Sequence, residues 1–179
     1  TIEGNAITSG MMAMDGPGEA VVRANTFHDG ASFNLDFELT GVVEGNDLGA
    51  GNIGVGSGSS MTVRDNVIRD ALNVEAAIQV GETGSSATIT GNTIADSAGG
   101  IYVGYGATAN VDGNELTGND FGYELMDRQD RYLGYNDFND PNQRATLKTV
   151  QGLPRLEVLS LAGNDLNDIS LLESMVNLQ

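Results

Sequence analysis

The stretch Ala87–Leu116, ATITGNTIADSAGGIYVGYGATANVDGNEL, states one phrase twice. An apolar residue is followed by a spacer, a small residue, Asn, a second spacer and another apolar residue. The copies are Ile89-Thr90-Gly91-Asn92-Thr93-Ile94 and Val111-Asp112-Gly113-Asn114-Glu115-Leu116. A strand-like Gly100-Ile101-Tyr102-Val103-Gly104 lies between them. Self-similarity at a fixed period of this size marks a solenoid with one coil per period.

The phrase recurs outward in both directions. Its asparagines are Asn5, Asn25, Asn46, Asn66, Asn92, Asn114, Asn136 and Asn164, with the widest gaps before Asn92 and Asn164. Asn tolerates the left-handed backbone conformation, so each Asn is expected to bend the chain between two short strands. Stacked at the strand spacing of about 4.8 Å, their side-chain amides should bond along the row. Charges give a second check on register. Glu3, Arg23, Glu44 and Arg64 each stand two residues before a row Asn, so neighbouring coils should set opposite charges side by side.

After each Asn turn comes an apolar-spacer-apolar strand: Met12-Ala13-Met14, Phe33-Asn34-Leu35, Ile53-Gly54-Val55, Ile78-Gln79-Val80, Ile101-Tyr102-Val103 and Tyr123-Glu124-Leu125. Alternation places the flanking residues inside and the middle one outside. Coils four and seven are longer, and their extra residues are expected in loops at 71–74, 82–86 and 139–144. These coils, over residues 1–138, resemble the right-handed parallel β-helix of the pectin-lyase-like superfamily. That resemblance implies a fold and not an activity.

From Leu147 the pattern changes. Leu147, Val150, Leu153 and Leu156 recur at the same spacing as Ile169, Leu172, Met175 and Leu178. Between them stands Leu156-x-x-Leu159-x-Leu161-x-x-Asn164-x-Leu166, which resembles the leucine-rich repeat of the internalin-like type, with a short 3₁₀ turn on its convex side. The expected architecture is therefore an all-β solenoid. About seven parallel β-helix coils (1–138) pass through a junction loop (139–146) into a leucine-rich segment (147–179), all as one continuous rod and an excerpt of a longer chain.

Composition narrows the functional classes. The 179 residues carry 25 acids against 8 basic residues, a formal charge of −17. Such a surface repels nucleic acid and anionic membranes. There is no cysteine, hence no disulfide framework or thiolate chemistry. No apolar run is long enough to span a membrane. The expected location is extracellular or at the cell surface.

Chemistry is sparse. His28, the single histidine, is expected to be an ordinary turn residue. The resemblance implies that any lyase or hydrolase site would lie on the outer face of one sheet, with calcium-binding carboxylates and a base, or with paired acids. The outward row Ala13, Asn34, Gly54, Gln79, Tyr102 and Glu124 holds neither. Gln79, Tyr102 and Glu124 do suit a sugar, because amide, phenol and carboxylate bond hydroxyls and a ring stacks on a pyranose. A solvated sheet face accounts for the same three residues. Glu115, Asp137 and Asp165 follow successive row asparagines, and a Ca²⁺ ion would relieve their repulsion, as would solvent and salt, the favoured reading. No other cofactor is expected.

The function expected from all this is a non-catalytic surface, adhesive or filament-forming scaffold. Its partners would be polysaccharide, surface proteins or, through the solenoid ends, further copies of itself. The rival is a segment of a polysaccharide lyase, hydrolase or epimerase whose active coils lie elsewhere.

Overall fold

A computed structural model describes residues 1–126 and 131–134. The chain winds as a parallel β-solenoid of three sheets, with no helix among the described residues. Each coil contributes one strand to each sheet. The first sheet stacks six strands from Ile2–Glu3 to Thr108–Asp112, the second six from Ala6–Thr8 to Glu115–Thr117. The third runs from Met11–Asp15 to Phe121–Met126 and adds the strand Arg131–Gly134. Among the described residues, strands pair in parallel except at that last addition.

Register follows the apolar frame. Val22, Val43, Val63, Ile89 and Val111 stack in the first sheet, and Phe27, Leu48, Ile68, Ile94 and Leu116 in the second. Phe33, Ile53, Ile78, Ile101 and Tyr123 stack in the third. All of these side chains are buried, and together they form the core. Burying one such aliphatic side chain contributes about 1.5–3 kcal/mol. A strand slipped by one residue would turn its core set outward, so the stack has one favoured register.

The corners differ from expectation. The residue before each Asn, not the Asn, takes the left-handed conformation: Gly4, Ala24, Gly45, Asp65, Gly91 and Gly113 have φ between 53° and 69°. This explains the small residue in the phrase, since a β-carbon there costs about 1–2 kcal/mol. Freed from making the bend, each Asn turns its amide inward. The other two corners use the same device. Ser9, Asp29, Ala50, Asp70, Asp96 and Gly118 form one left-handed column, and Gly16, Phe37, Ser57, Glu82 and Tyr105 form another.

Coil four keeps this frame despite its extra length, because most of the excess loops out at 70–77, between the strands Val67–Arg69 and Ile78–Val80. The seventh coil departs from it. Leu133, expected to follow Val111 in the first sheet, instead pairs antiparallel with Glu124 in the third. Span length is not the cause, since the strands ending at Val103 and Met126 are each followed after four residues by the next strand, which joins the first sheet at Thr108 but the third at Arg131. The leucine-rich stretch 147–179 and the 139–146 junction lie outside the described residues.

Candidate functional site

The asparagine row is a continuous hydrogen-bonded ladder. Asn25, Asn46, Asn66, Asn92 and Asn114 are buried, while Asn5 is exposed. Each Oδ1 accepts both the backbone N–H and the Nδ2 of the preceding Asn: Asn66 donates to Asn92 at 3.0 and 2.9 Å, and Asn92 to Asn114 at 3.0 and 2.8 Å. Each Nδ2 also reaches back to a carbonyl of the previous coil, as from Asn92 to Val63 and from Asn114 to Ile89. A buried amide thus has its donors and its acceptor engaged, which is why its burial is tolerated. Asn136 and Asn164 lie outside the described residues.

Two shorter polar columns were not legible in the sequence. Ser59 and Ser85 are buried and accept from Leu39 N–H and Gly58 N–H. Ser97 accepts from Ala71 N–H, and Asn119 accepts from Ser97 N–H. They recur over too few coils to stand out as a pattern.

The charged row is as expected. Arg23 meets Glu3 at 2.9 Å and Arg64 meets Glu44 at 2.5 Å, on adjacent strands of the first sheet. A third pair, Arg69 with Asp47 at 2.6 Å, crosses the second sheet diagonally and was missed because the two do not share a repeat position. Of the calcium candidates, Glu115 is exposed on the second sheet beside Thr93, while Asp137 and Asp165 lie outside the described residues. Among the described residues no three His, Cys, Asp or Glu gather in a metal-binding group.

The third sheet carries a groove of mixed chemistry. Gln79 pairs with Tyr102 and Tyr102 with Glu124, so the expected strip does lie on successive strands. Tyr102, however, is only 3% exposed. Its ring is partly covered by Tyr105, 6.0 Å away and tilted by 50°. The ring that meets solvent is Tyr105, at 66% exposure, with Phe37 at 57% three coils earlier in the same corner column.

Between these two corner positions lies an open depression of about 210 Å³ lined by Asn34, Asp36, Gln79, Glu82, Tyr102 and Tyr105, among others. Its floor is low because Gly54 and Gly56 replace side chains. Asn34 leans into the space above Gly54. Asp36 Oδ1 and Glu82 Oε2 approach to 2.5 and 3.9 Å of the point where a β-carbon on Gly56 would sit. Glu82 is held there by the N–H and Oγ of Ser57, each at 2.9 Å from its Oε2. Asp36 sits beside Asp15 on the neighbouring strand. Burial, then repulsion from Asp15 and Glu82, raises the Asp36 carboxyl above its ordinary range, against the Ser57 hydrogen bond. The outward row Ala13, Asn34, Gly54, Gln79, Tyr102 and Glu124 misses these acids because Asp15 and Asp36 lie two residues further along their strands and Glu82 comes from a corner.

Stacked parallel coils, a buried amide ladder and an inward aliphatic frame define a parallel β-helix. A family model described as the right handed beta helix region matches residues 49–158, and the chain belongs to that family. Neither the curated proteins nor the solved structures contain a match.

Proposed function

We propose that this chain is a non-catalytic solenoid scaffold, outside the cell or at its surface, that holds a linear glycan against the outer face of its third sheet. One observation carries the reading. Phe37 and Tyr105 both occupy left-handed corner positions, at φ 62° and 54°, where glycine would be unstrained. A bulky side chain there costs about 1–2 kcal/mol, and with both rings more than half exposed, even counting the contact of Tyr105 with Tyr102, burial offsets little of that cost. Tyr105 lines a groove with amides and carboxylates, and Phe37 stands exposed in the same corner column next to the lining residue Asp36, an arrangement that suits stacking and hydroxyl recognition. The strip first read as Gln79, Tyr102 and Glu124 thereby shifts: Gln79 stays, Tyr102 backs the groove, and Tyr105 with Phe37 supplies the stacking faces.

The groove is smaller than the roughly 300–1,000 Å³ of pockets that bury a ligand, so millimolar affinity, about 4 kcal/mol, is the natural scale. The leucine-rich repeat at 147–179, supported by the return of Leu147, Val150, Leu153 and Leu156 as Ile169, Leu172, Met175 and Leu178, would lengthen the same scaffold and offer a surface for protein partners. Titration of β-linked oligosaccharides, followed by tyrosine fluorescence, tests the binding reading. Affinity should fall in Tyr105→Ala and in Phe37→Ala, and binding indifferent to both would sink it. Asp36 and Glu82 facing one hollow also suit paired-acid hydrolysis. Reducing ends released during the titrations, and lost in Glu82→Gln, would replace the binding reading with the enzymatic one.

A further inference from the structure

Resting on the glycan reading above, we infer that the sugar polymer taken by this groove carries free amino groups and lies along the solenoid axis. Direction comes from the corner column. Phe37, Ser57, Glu82 and Tyr105 occupy successive coils, so the two rings stand three strand spacings apart, roughly 14 Å. A pyranose unit is about as long as one strand spacing of about 4.8 Å. A chain parallel to the axis therefore meets one coil per sugar, with a ring under its first and its fourth unit.

Charge comes from what lines the space between the rings. Asp36, Glu75 and Glu82 all face the groove, and among the described residues lining it there is no arginine, lysine or histidine. On the first and second sheets three acids, Glu3, Glu44 and Asp47, are matched with arginines across neighbouring coils, whereas, among the described residues, Glu19, Asp112 and Glu115 stand singly and are not. Among the described residues the groove acids are not matched in this way. Asp36 is instead partly buried with two like charges near it, Asp15 and Glu82.

A uronic-acid polymer would add negative charge to this site, and a neutral or N-acetylated one would leave it uncompensated. An ammonium group on each sugar compensates it. Phe37 and Tyr105 take the apolar sugar faces, Asn34 and Gln79 the hydroxyls, Asp36 the ammonium of the first unit and Glu82 that of the third.

The test is calorimetric titration of the full chain with a β-1,4-linked glucosamine hexamer, its N-acetylated counterpart, and an oligogalacturonate with and without Ca²⁺. Wild type, Tyr105→Ala and Glu82→Gln are compared, each checked for native circular dichroism. The amine hexamer should bind roughly tenfold more tightly than the acetylated one at low salt, a gap that closes in high salt. Glu82→Gln should narrow the gap while Tyr105→Ala weakens both ligands. Equal affinity for the two hexamers, or tighter oligogalacturonate binding with Ca²⁺, overturns the amine assignment and leaves the glycan reading standing. Basic peptide bound as tightly as the amine hexamer, and unaffected by Tyr105→Ala, overturns it as well. Failure of every glycan to bind removes both.

Discussion

Truncating Asn92 to alanine cuts the ladder at its middle, and the structure allows the loss to be apportioned. Asn92 is fully buried. Its Oδ1 accepts from Asn66 N–H and Asn66 Nδ2, and its own Nδ2 donates to Val63, Thr90 and Asn114. Some of these groups keep other partners. Asn114 Oδ1 still accepts the Asn92 backbone N–H, Thr90 O still accepts Asp65 N–H, and Asn66 Nδ2 still reaches Val43. The backbone N–H of Asn66 is the clear orphan, and Val63 O loses a donor.

At about 1–3 kcal/mol for a buried group left unsatisfied, plus the space vacated by the amide, Asn92→Ala should cost about 2–4 kcal/mol. The control is Asn73→Ala, an exposed loop residue, which should stay within about 0.5 kcal/mol of wild type. Urea denaturation followed by circular dichroism measures both as shifts in midpoint at constant slope. Similar small shifts for the two variants would mean that the ladder contributes nothing beyond ordinary solvation. Asn92→Asp sharpens the test. A carboxylate keeps the acceptor but faces Val63 O and Asn114 Oδ1, so it should be at least as damaging as alanine at neutral pH, with partial recovery once acid protonates it.

Gly41 has φ 142°, and a β-carbon there would collide with the backbone carbonyl of Ala20, so Gly41→Ala should cost more than about 3 kcal/mol or prevent folding, as read by thermal melting. Ala24→Gly should stabilise slightly, by about 0.5 kcal/mol, because relief of the left-handed strain outweighs the added chain entropy; a lower midpoint in urea would contradict the corner assignment. The raised Asp36 carboxyl binds its proton more tightly in the folded chain than in the unfolded one. Its effect is therefore a loss of stability as pH climbs from the ordinary aspartate range through the raised value, and Asp36→Asn should be more stable than wild type at neutral pH with a flatter acid profile. Arg23→Gln and Arg64→Gln should each change stability by less than about 1 kcal/mol, since both ion pairs are solvated, and high salt should erase even that.

Register was legible from the sequence wherever one position repeated on every coil. The stack Val22, Val43, Val63, Ile89, Val111 and the row Glu3, Arg23, Glu44, Arg64 both follow from spacing alone, because parallel coils turn a fixed offset into a contact. What covers an outward residue was not legible. Tyr102 points away from the core as alternation demands, yet Tyr105 leans over it from a corner, and no period-two rule describes corners. For the same reason the exposed rings and Glu82 escaped a strand-by-strand reading. The left-handed residue was misplaced by one position because Gly and Asn both tolerate that conformation, and only the bonded inward amide decides between them. The hairpin at Arg131–Gly134 breaks a frame that the sequence itself continues, since Leu133 and Asn136 keep the spacing of earlier coils.

The amide ladder also fixes the unit in which this chain can grow or shrink. Every rung offers its neighbour the same handshake, a carbonyl oxygen toward the preceding coil and donors toward the following one. Excising Asn46 through Asp65 as a block would join Gly45 directly to Asn66, and Asn25 would then face Asn66 with an identical set of partners. Loss of a single residue within a strand offers no such repair. Length can therefore drift in whole coils, by duplication or deletion between like asparagines, while a coil inserted backwards would present donor to donor and be refused.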